Sequence, residues 1–243
     1  MAGELDTALA RIEADRSVRA LVLAGAGAAF CPGMDTAWLT RMSSANKAVS
    51  TRDAMTTNQL LARLDGMRIP TIARVHGSAQ AFGLGLVAAC DIAVASLDAE
   101  FCFPETRLGL AATVIAPYVV RAMGERQARR YLLSGERFTA AEAYRVGLVH
   151  ELSPPDELDS KINDILGHLL AGGPQAVGAA KEIVASMRSV GTDRELGGKL
   201  VAREAELRAT VEAKAGMKAN LKGTAPDWTP PKNRAKTGRR TAR

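Results

Sequence analysis

Seventeen residues, QAFGLGLVAACDIAVAS at 80–96, constrain this chain more than any other part of it. The stretch is too apolar for an exposed loop and too rich in glycine for an ordinary core helix. A β-branched run at 71–76 precedes it and a second, at 91–95, follows, so both flanks suit buried strands. The chain is therefore expected to leave one strand, form a short helix of small residues over about 83–90, and re-enter a sheet. Gly83 and Gly85 fall where that helix begins, and the missing side chains let another backbone or a ligand come close. A helix start also offers unpaired N–H groups and the positive end of the helix dipole. A partly negative atom is expected to sit there.

The surrounding text alternates in kind. A helical start at 5–15 leads to a strand at about 19–24, a Gly/Ala-rich turn GAGAAFCPGMD, and a polar helix-prone region at 36–65. After the glycine stretch come two short strands near 92–95 and 100–103, and then the helical ATVIAPYVVRAMG. Strand, crossover helix and strand in repetition predict an α/β core over 1–124 with mostly parallel pairing. From Gly124 onward the apolar residues recur at helical spacing, which predicts a helical region over 125–228. No internal repeat is visible.

Composition removes several function classes. With 243 residues and 47% hydrophobic content, the chain can bury a sizeable core. No apolar run is long enough for a membrane span, and the amino end carries charges where a signal peptide needs an apolar stretch, so a cytoplasmic location without membrane contact is expected. The net charge of +6 is partly local: the last twelve residues, KNRAKTGRRTAR, hold six basic residues and no acid. A disordered basic tail over 229–243 follows, with no specific nucleic-acid role, since aromatics at 4% leave few platforms for stacking bases. Cys31, Cys90 and Cys102 lack any paired ligand spacing and read as buried free thiols, with no metal site.

Three segments in order, AGAGAAFCPGMD, VHGSAQAFGLGLVAACDIAVASLDAEFCFPETRLGL and LSGERFTAAEAYRVGLVHE, resemble the crotonase superfamily, the enoyl-CoA hydratases and isomerases. The resemblance extends from about Leu5 to Trp228, and within the family it is most similar to methylglutaconyl-CoA hydratases. It implies a ββα spiral core with a carboxy-terminal helical trimerisation region, a homotrimer or hexamer, an acyl-CoA thioester as substrate, and no cofactor beyond the coenzyme A that the substrate carries. By motif, it implies an oxyanion hole for the thioester oxygen, made by the backbone N–H groups of Met34 and Phe82. It also places Phe30, Gly33, Asp35, Thr36, Ala37, Gly83 and Gly85 at the substrate. Relatives usually carry three glycines where this chain has Ala81, Phe82 and Gly83, so strain at Phe82 is one expectation and a narrowed acyl pocket another.

Hydration needs a group that deprotonates water for attack at C3 and a group that delivers a proton to C2. Typical hydratases divide this work between two glutamates. The position of the first is Gly85 here, whereas the second matches Glu105 in FCFPETRLGL. Pro104 fixes the turn before Glu105, and the apolar neighbours Phe103 and Leu108 are expected to raise its carboxyl pKa. A single carboxylate leaves three readings open. A hydratase uses Glu105 as proton donor and acceptor; a double-bond isomerase uses Glu105 alone to move a proton from C2 to C4; a non-catalytic subunit assembles with a complete homologue. The third reading draws on the amino terminus, where relatives open with a strand pair that this sequence lacks, which implies an exposed sheet edge and a depleted CoA site.

Other polar residues suggest less. His76 begins the loop after a strand but has no carboxylate at a nameable spacing, and reads as structural. His150 reads as a sheet end or subunit contact, and His168 as a packed or solvated helix residue. The serines of RMSSAN lack a GxSxG context, which argues against a serine hydrolase. The GAG of Gly25–Gly27 departs from a dinucleotide motif, because the sixth position is Phe30. Apolar residues 196, 200, 201, 207, 211 and 217 in the segment 192–221 have few partners on their own chain, which predicts oligomerisation.

Overall fold

The computed structural model describes residues 1–187 and 205–230. Two compact units divide the chain, the first comprising residues 1–67 and 71–162, the second residues 68–70 and 163–243. In chain order the first unit holds α1 (Ala2–Ala14), β1 (Leu21–Ala24), α2 (Thr36–Ser43), α3 (Lys47–Gly66), β2 (Thr71–Val75), β3 (Ser78–Gln80), α4 (Phe82–Ala89), β4 (Ile92–Ser96), β5 (Glu100–Cys102), a 3-10 helix (Pro104–Leu108), α5 (Ala116–Ser134), β6 (Arg137–Thr139), α6 (Ala140–Arg145) and β7 (Glu151–Ser153). The helix α7 (Leu158–Ala171) carries the chain from the first unit to the second, which continues with α8 (Pro174–Ser186) and α9 (Val211–Leu221).

Parallel pairing organises the first unit. One sheet has the order β1-β2-β4-β7, all parallel, with Ile72 opposite both Val22 and Ile92. Buried strands rich in β-branched and small residues read as apolar runs, as β4 does, and as β2 does apart from Thr71 and Arg74. The second sheet has the order β3-β5-β6, with β3 and β5 parallel and β5 and β6 antiparallel. Local signals set the helix starts: the Asp35 carboxylate accepts from Trp38 N–H, Asn46 from Val49 N–H, and Thr139 from Glu142 N–H.

The first unit runs further along the chain than the sequence reading of 1–124 expects. At Gly124 the backbone leaves helical angles (φ 75°, ψ 154°), yet α5 resumes beyond it, so the glycine kinks a helix rather than ending a domain. Past it, β6 pairs with β5 and β7 with β4, which ties residues through Ile162 to the two sheets. Strands of three residues are too short to show alternation, and the helical spacing around them dominates the text. Phe138 on β6 stacks on Phe101 at 5.5 Å between ring centroids and meets Tyr131 at 4.2 Å, which anchors this segment in the core.

In the second unit the Glu212 carboxylate accepts from the Gln175 and Ala176 N–H groups, both at 2.9 Å, and so caps α8 from α9. Of the apolar residues expected to drive oligomerisation, Leu196, Leu200 and Val201 lie outside the described residues, as do 231–243 of the basic tail. Val211 and Met217 are exposed. Cys31, Cys90 and Cys102 are buried free thiols, and no described helix is long and apolar enough to cross a membrane.

Candidate active site

The glycine stretch folds as a strand, a sharp turn and a helix. Backbone bonds fix the turn: Gln80 N–H donates to Cys31 O at 2.9 Å, Cys31 N–H to Ser78 O at 3.1 Å, and Ala81 N–H to Cys102 O at 3.0 Å. The segment around Cys31 thereby extends the β3 sheet by one bridge, Cys31 to Ala79, and brings Gly33 and Met34 beside the start of α4. Close approach is the reason for Gly83, because a Cβ there would lie 2.7 Å from both the Cβ and the O of Cys31. Ala81 takes the turn itself, at φ 48° and ψ −120°, and is the only described residue other than glycine with positive φ. The strain expected at Phe82 falls instead on Ala81, since Phe82 is already the first helical residue. As such, its N–H has no intrahelical acceptor, and no hydrogen bond from the Met34 N–H is found among the described residues.

Both residues line a cavity of about 500 Å³. Its wall comes from Met1–Gly3 at the start of α1, the Gly33–Asp35 segment, α2 and α3, the head of α4, and the 111–115 segment before α5, with Glu105 opening onto it. Glu105 is 6% exposed, and its Oε2 has no hydrogen-bond partner among the described residues. Burial pushes its carboxyl pKa above the ordinary value, partly offset by a hydrogen bond from its own backbone N–H. Phe103 is fully buried, as the sequence suggests, but Leu108 is exposed and does not help to desolvate the acid. The 3-10 helix explains the difference: it begins at Pro104, keeps Glu105 inward, and turns Leu108 out beside the left-handed Gly109.

Opposite expectations meet at Gly85. A Cβ there would come within 2.4 Å of Ile115 Cγ2 and 3.5 Å of Leu61 Cδ1, so the place of a second carboxylate is filled by apolar side chains. The structure brings Gly33, Met34, Asp35, Phe82 and Glu105 to one cavity. It does not bring Phe30, which is buried with its N–H on His76 O, nor Thr36 and Ala37, which are exposed at the start of α2, nor Gly83 and Gly85, which serve packing.

Sequence reasoning misses the far wall. Trp38 Nε1 donates to Asp53 Oδ2 at 3.0 Å, Arg41 stands 3.6 Å from Asp53 Oδ1, and all three line the cavity with Thr56, Thr57 and Thr113. These residues are spread over two polar helices and the segment before α5 without a motif, and only the tertiary fold assembles them. His150 fits the sheet-end reading: its Nδ1 accepts from Ala93 N–H at 3.0 Å. His168 is exposed on α7.

Comparison with known proteins places this geometry. A family model described as enoyl-CoA hydratase/isomerase matches residues 1–230. A crotonyl-CoA hydratase of Syntrophomonas wolfei is 31% identical over 225 residues, 90% of this chain and 83% of the relative. A 2,3-dehydroadipyl-CoA hydratase of Escherichia coli is 31% identical over 88% of this chain and 82% of its own length. Among solved structures, an enoyl-CoA hydratase from Shewanella pealeana superposes with a TM-score of 0.90 at 32% identity, covering 93% of this chain and 85% of that one.

Proposed function

The chain belongs to the enoyl-CoA hydratase/isomerase family of the crotonase superfamily, and from that premise we propose that it adds water across the 2,3 double bond of an acyl-CoA thioester with Glu105 as the only proton carrier. The observation that carries the reading is the state of Glu105: a buried carboxyl, raised in pKa, with an unpartnered oxygen on the same cavity as Met34 and Phe82. In the proposed step the Glu105 carboxylate takes one proton from water while the water oxygen bonds to C3 and the π electrons shift toward the thioester. The Met34 and Phe82 N–H groups hold the enolate oxygen that forms, where fixed donors in a dry site are most effective. Glu105 then returns the proton to C2, so the elements of water are added and the enzyme ends as it began. A carboxyl with raised pKa serves both halves near neutrality.

The filled Gly85 position favours a second reading, since moving a double bond from C3 to C2 needs one base alone. Incubation in heavy water separates the two. A hydratase converts crotonyl-CoA to a 3-hydroxyacyl product with one deuterium at C2. An isomerase converts a 3-enoyl-CoA to the 2-enoyl isomer and forms no alcohol, and that outcome would replace hydration. Assembly as a trimer or hexamer belongs to the same proposal and is supported by the exposed Val211, Met217 and Leu221 on α9.

A further inference from the structure

We infer that His76, neutral and with its proton on Nε2, is a positioning residue that holds the loop 25–30 and, through it, the Met34 donor; the inference rests on Met34 acting at the thioester oxygen as proposed above. His76 Nδ1 lies 3.1 Å from Arg74 Nη1, and His76 Nε2 lies 2.8 Å from Gly27 O. A guanidinium only donates and a carbonyl only accepts, so Nδ1 must carry the lone pair and Nε2 the hydrogen. Only the neutral ring satisfies both neighbours.

Main-chain contacts also hold this loop, and the buried Phe30 side chain ends it. Phe30 N–H donates to His76 O at 2.8 Å, and Gly77, at φ 57°, lies so close that a Cβ there would meet Ala28 O at 2.2 Å. Four residues after Phe30 comes Met34, with the Cys31 bridge to Ala79 between them. Charges facing the ring come from two elements: Arg74 on β2, and Asp159 on α7, which pairs with Arg74 at 2.5 Å. The loop residues 25–30 carry none. A second proton, on Nδ1, would set Nδ1–H against a guanidinium N–H and break the contact with Arg74, while Nε2–H could still donate to Gly27 O.

Glutamine can accept and donate at once but does not titrate, and leucine can do neither. The test compares wild type, His76→Gln and His76→Leu. In ring-nitrogen NMR at about pH 8, the His76 signals, identified by their loss in His76→Gln, should report the Nε2–H tautomer. In kinetics, His76→Leu should lower kcat about 10- to 100-fold. His76→Gln, whose side-chain amide can still donate to Gly27 O, should stay near wild type at that pH. The Nδ1–H tautomer would overturn the inference, as would a His76→Gln variant impaired as much as His76→Leu, and the tautomer still decides if His76→Leu does not fold. An active wild type with an unimpaired His76→Leu overturns the role of His76 alone, whereas a wild type inactive on every enoyl thioester overturns it together with the proposed function.

Discussion

Two walls of one cavity are built by opposite rules. Where the Cys31–Met34 segment meets the head of α4, position is set by main chain: three backbone hydrogen bonds, one β-bridge, and Gly83, where Cys31 leaves no room for a Cβ. Ala81 makes the turn there and Phe82 begins α4. At the 3-10 helix the proposed chemistry rests on one side chain, Glu105, and the place where a partner carboxylate would enter is closed by Ile115. The difference teaches where substitutions should matter: a backbone wall responds to volume and dihedral angles, a side-chain wall to functional groups.

The largest effect should come from removing the one functional group. Glu105→Gln keeps shape and loses the proton carrier, so kcat should fall by about 10²–10⁴-fold, while affinity for a thioester that cannot react stays near wild type in calorimetry. An unaltered rate would remove Glu105 from the mechanism and erase the contrast between the walls.

Legibility in the sequence follows the same division. The glycine stretch shows its strand, turn and helix in the text because small residues, β-branched flanks and helix-start glycines are local signals, and β2, α4 and β4 form there. Glu105 is legible because Pro104 and a motif fix its place. The covering of Gly85 is not, since Ile115 lies thirty residues away and nothing local shows that they touch. Asp53, Trp38 and Arg41 are hidden for the same reason. The short strands β6 and β7 escape notice because their pairing energy lies in partners 37 and 57 residues earlier in the chain, not in their own pattern.

The next effect probes the closed position. Gly85→Ala forces a methyl against Ile115 Cγ2, and overpacking of this kind costs about 1–3 kcal/mol, read as a lower denaturant midpoint. In an Ile115→Ala background the same substitution should cost less, and a double-mutant cycle measures the difference. Additive costs would mean that Ile115 does not close the site.

Glu105 also carries a stability signature with a definite sign. Its folded pKa is raised by burial, so the native state holds its proton more tightly than the unfolded chain. Stability is therefore lost as pH rises from the ordinary carboxyl value through the raised one, and stays lower above it. Glu105→Gln removes that loss. The variant should be more stable than wild type at neutral pH, toward the low end of ~1–3 kcal/mol for a buried unsatisfied group, and the gap in Tm should close as the pH falls below the ordinary carboxyl range. A gap independent of pH would assign the gain to packing instead of charge.

The smallest effect tests the backbone wall where it is strained. A residue with a Cβ at φ 48° and ψ −120° costs on the order of 1–3 kcal/mol, and Ala81→Gly relieves that. Against the relief stand the greater unfolded freedom of glycine, about 0.5–1 kcal/mol, and the loss of a buried methyl, about 0.8 kcal/mol. The net should lie between about 1 kcal/mol destabilising and about 1.5 kcal/mol stabilising, on the stabilising side at the upper end of the strain range. Ala81→Val separates the cause from the magnitude. A β-branched side chain is a poorer fit still at positive φ, so valine should destabilise clearly, whereas at an ordinary extended helix start it would be tolerated. In Ala81→Gly, kcat should stay within about twofold, because the Ala81 N–H bond to Cys102 O and the helix that starts at Phe82 hold the Phe82 N–H whatever the side chain at 81. A variant that folds more stably but turns over far more slowly would mean that the strained alanine aims the donor, and that the main-chain wall depends on a side chain after all.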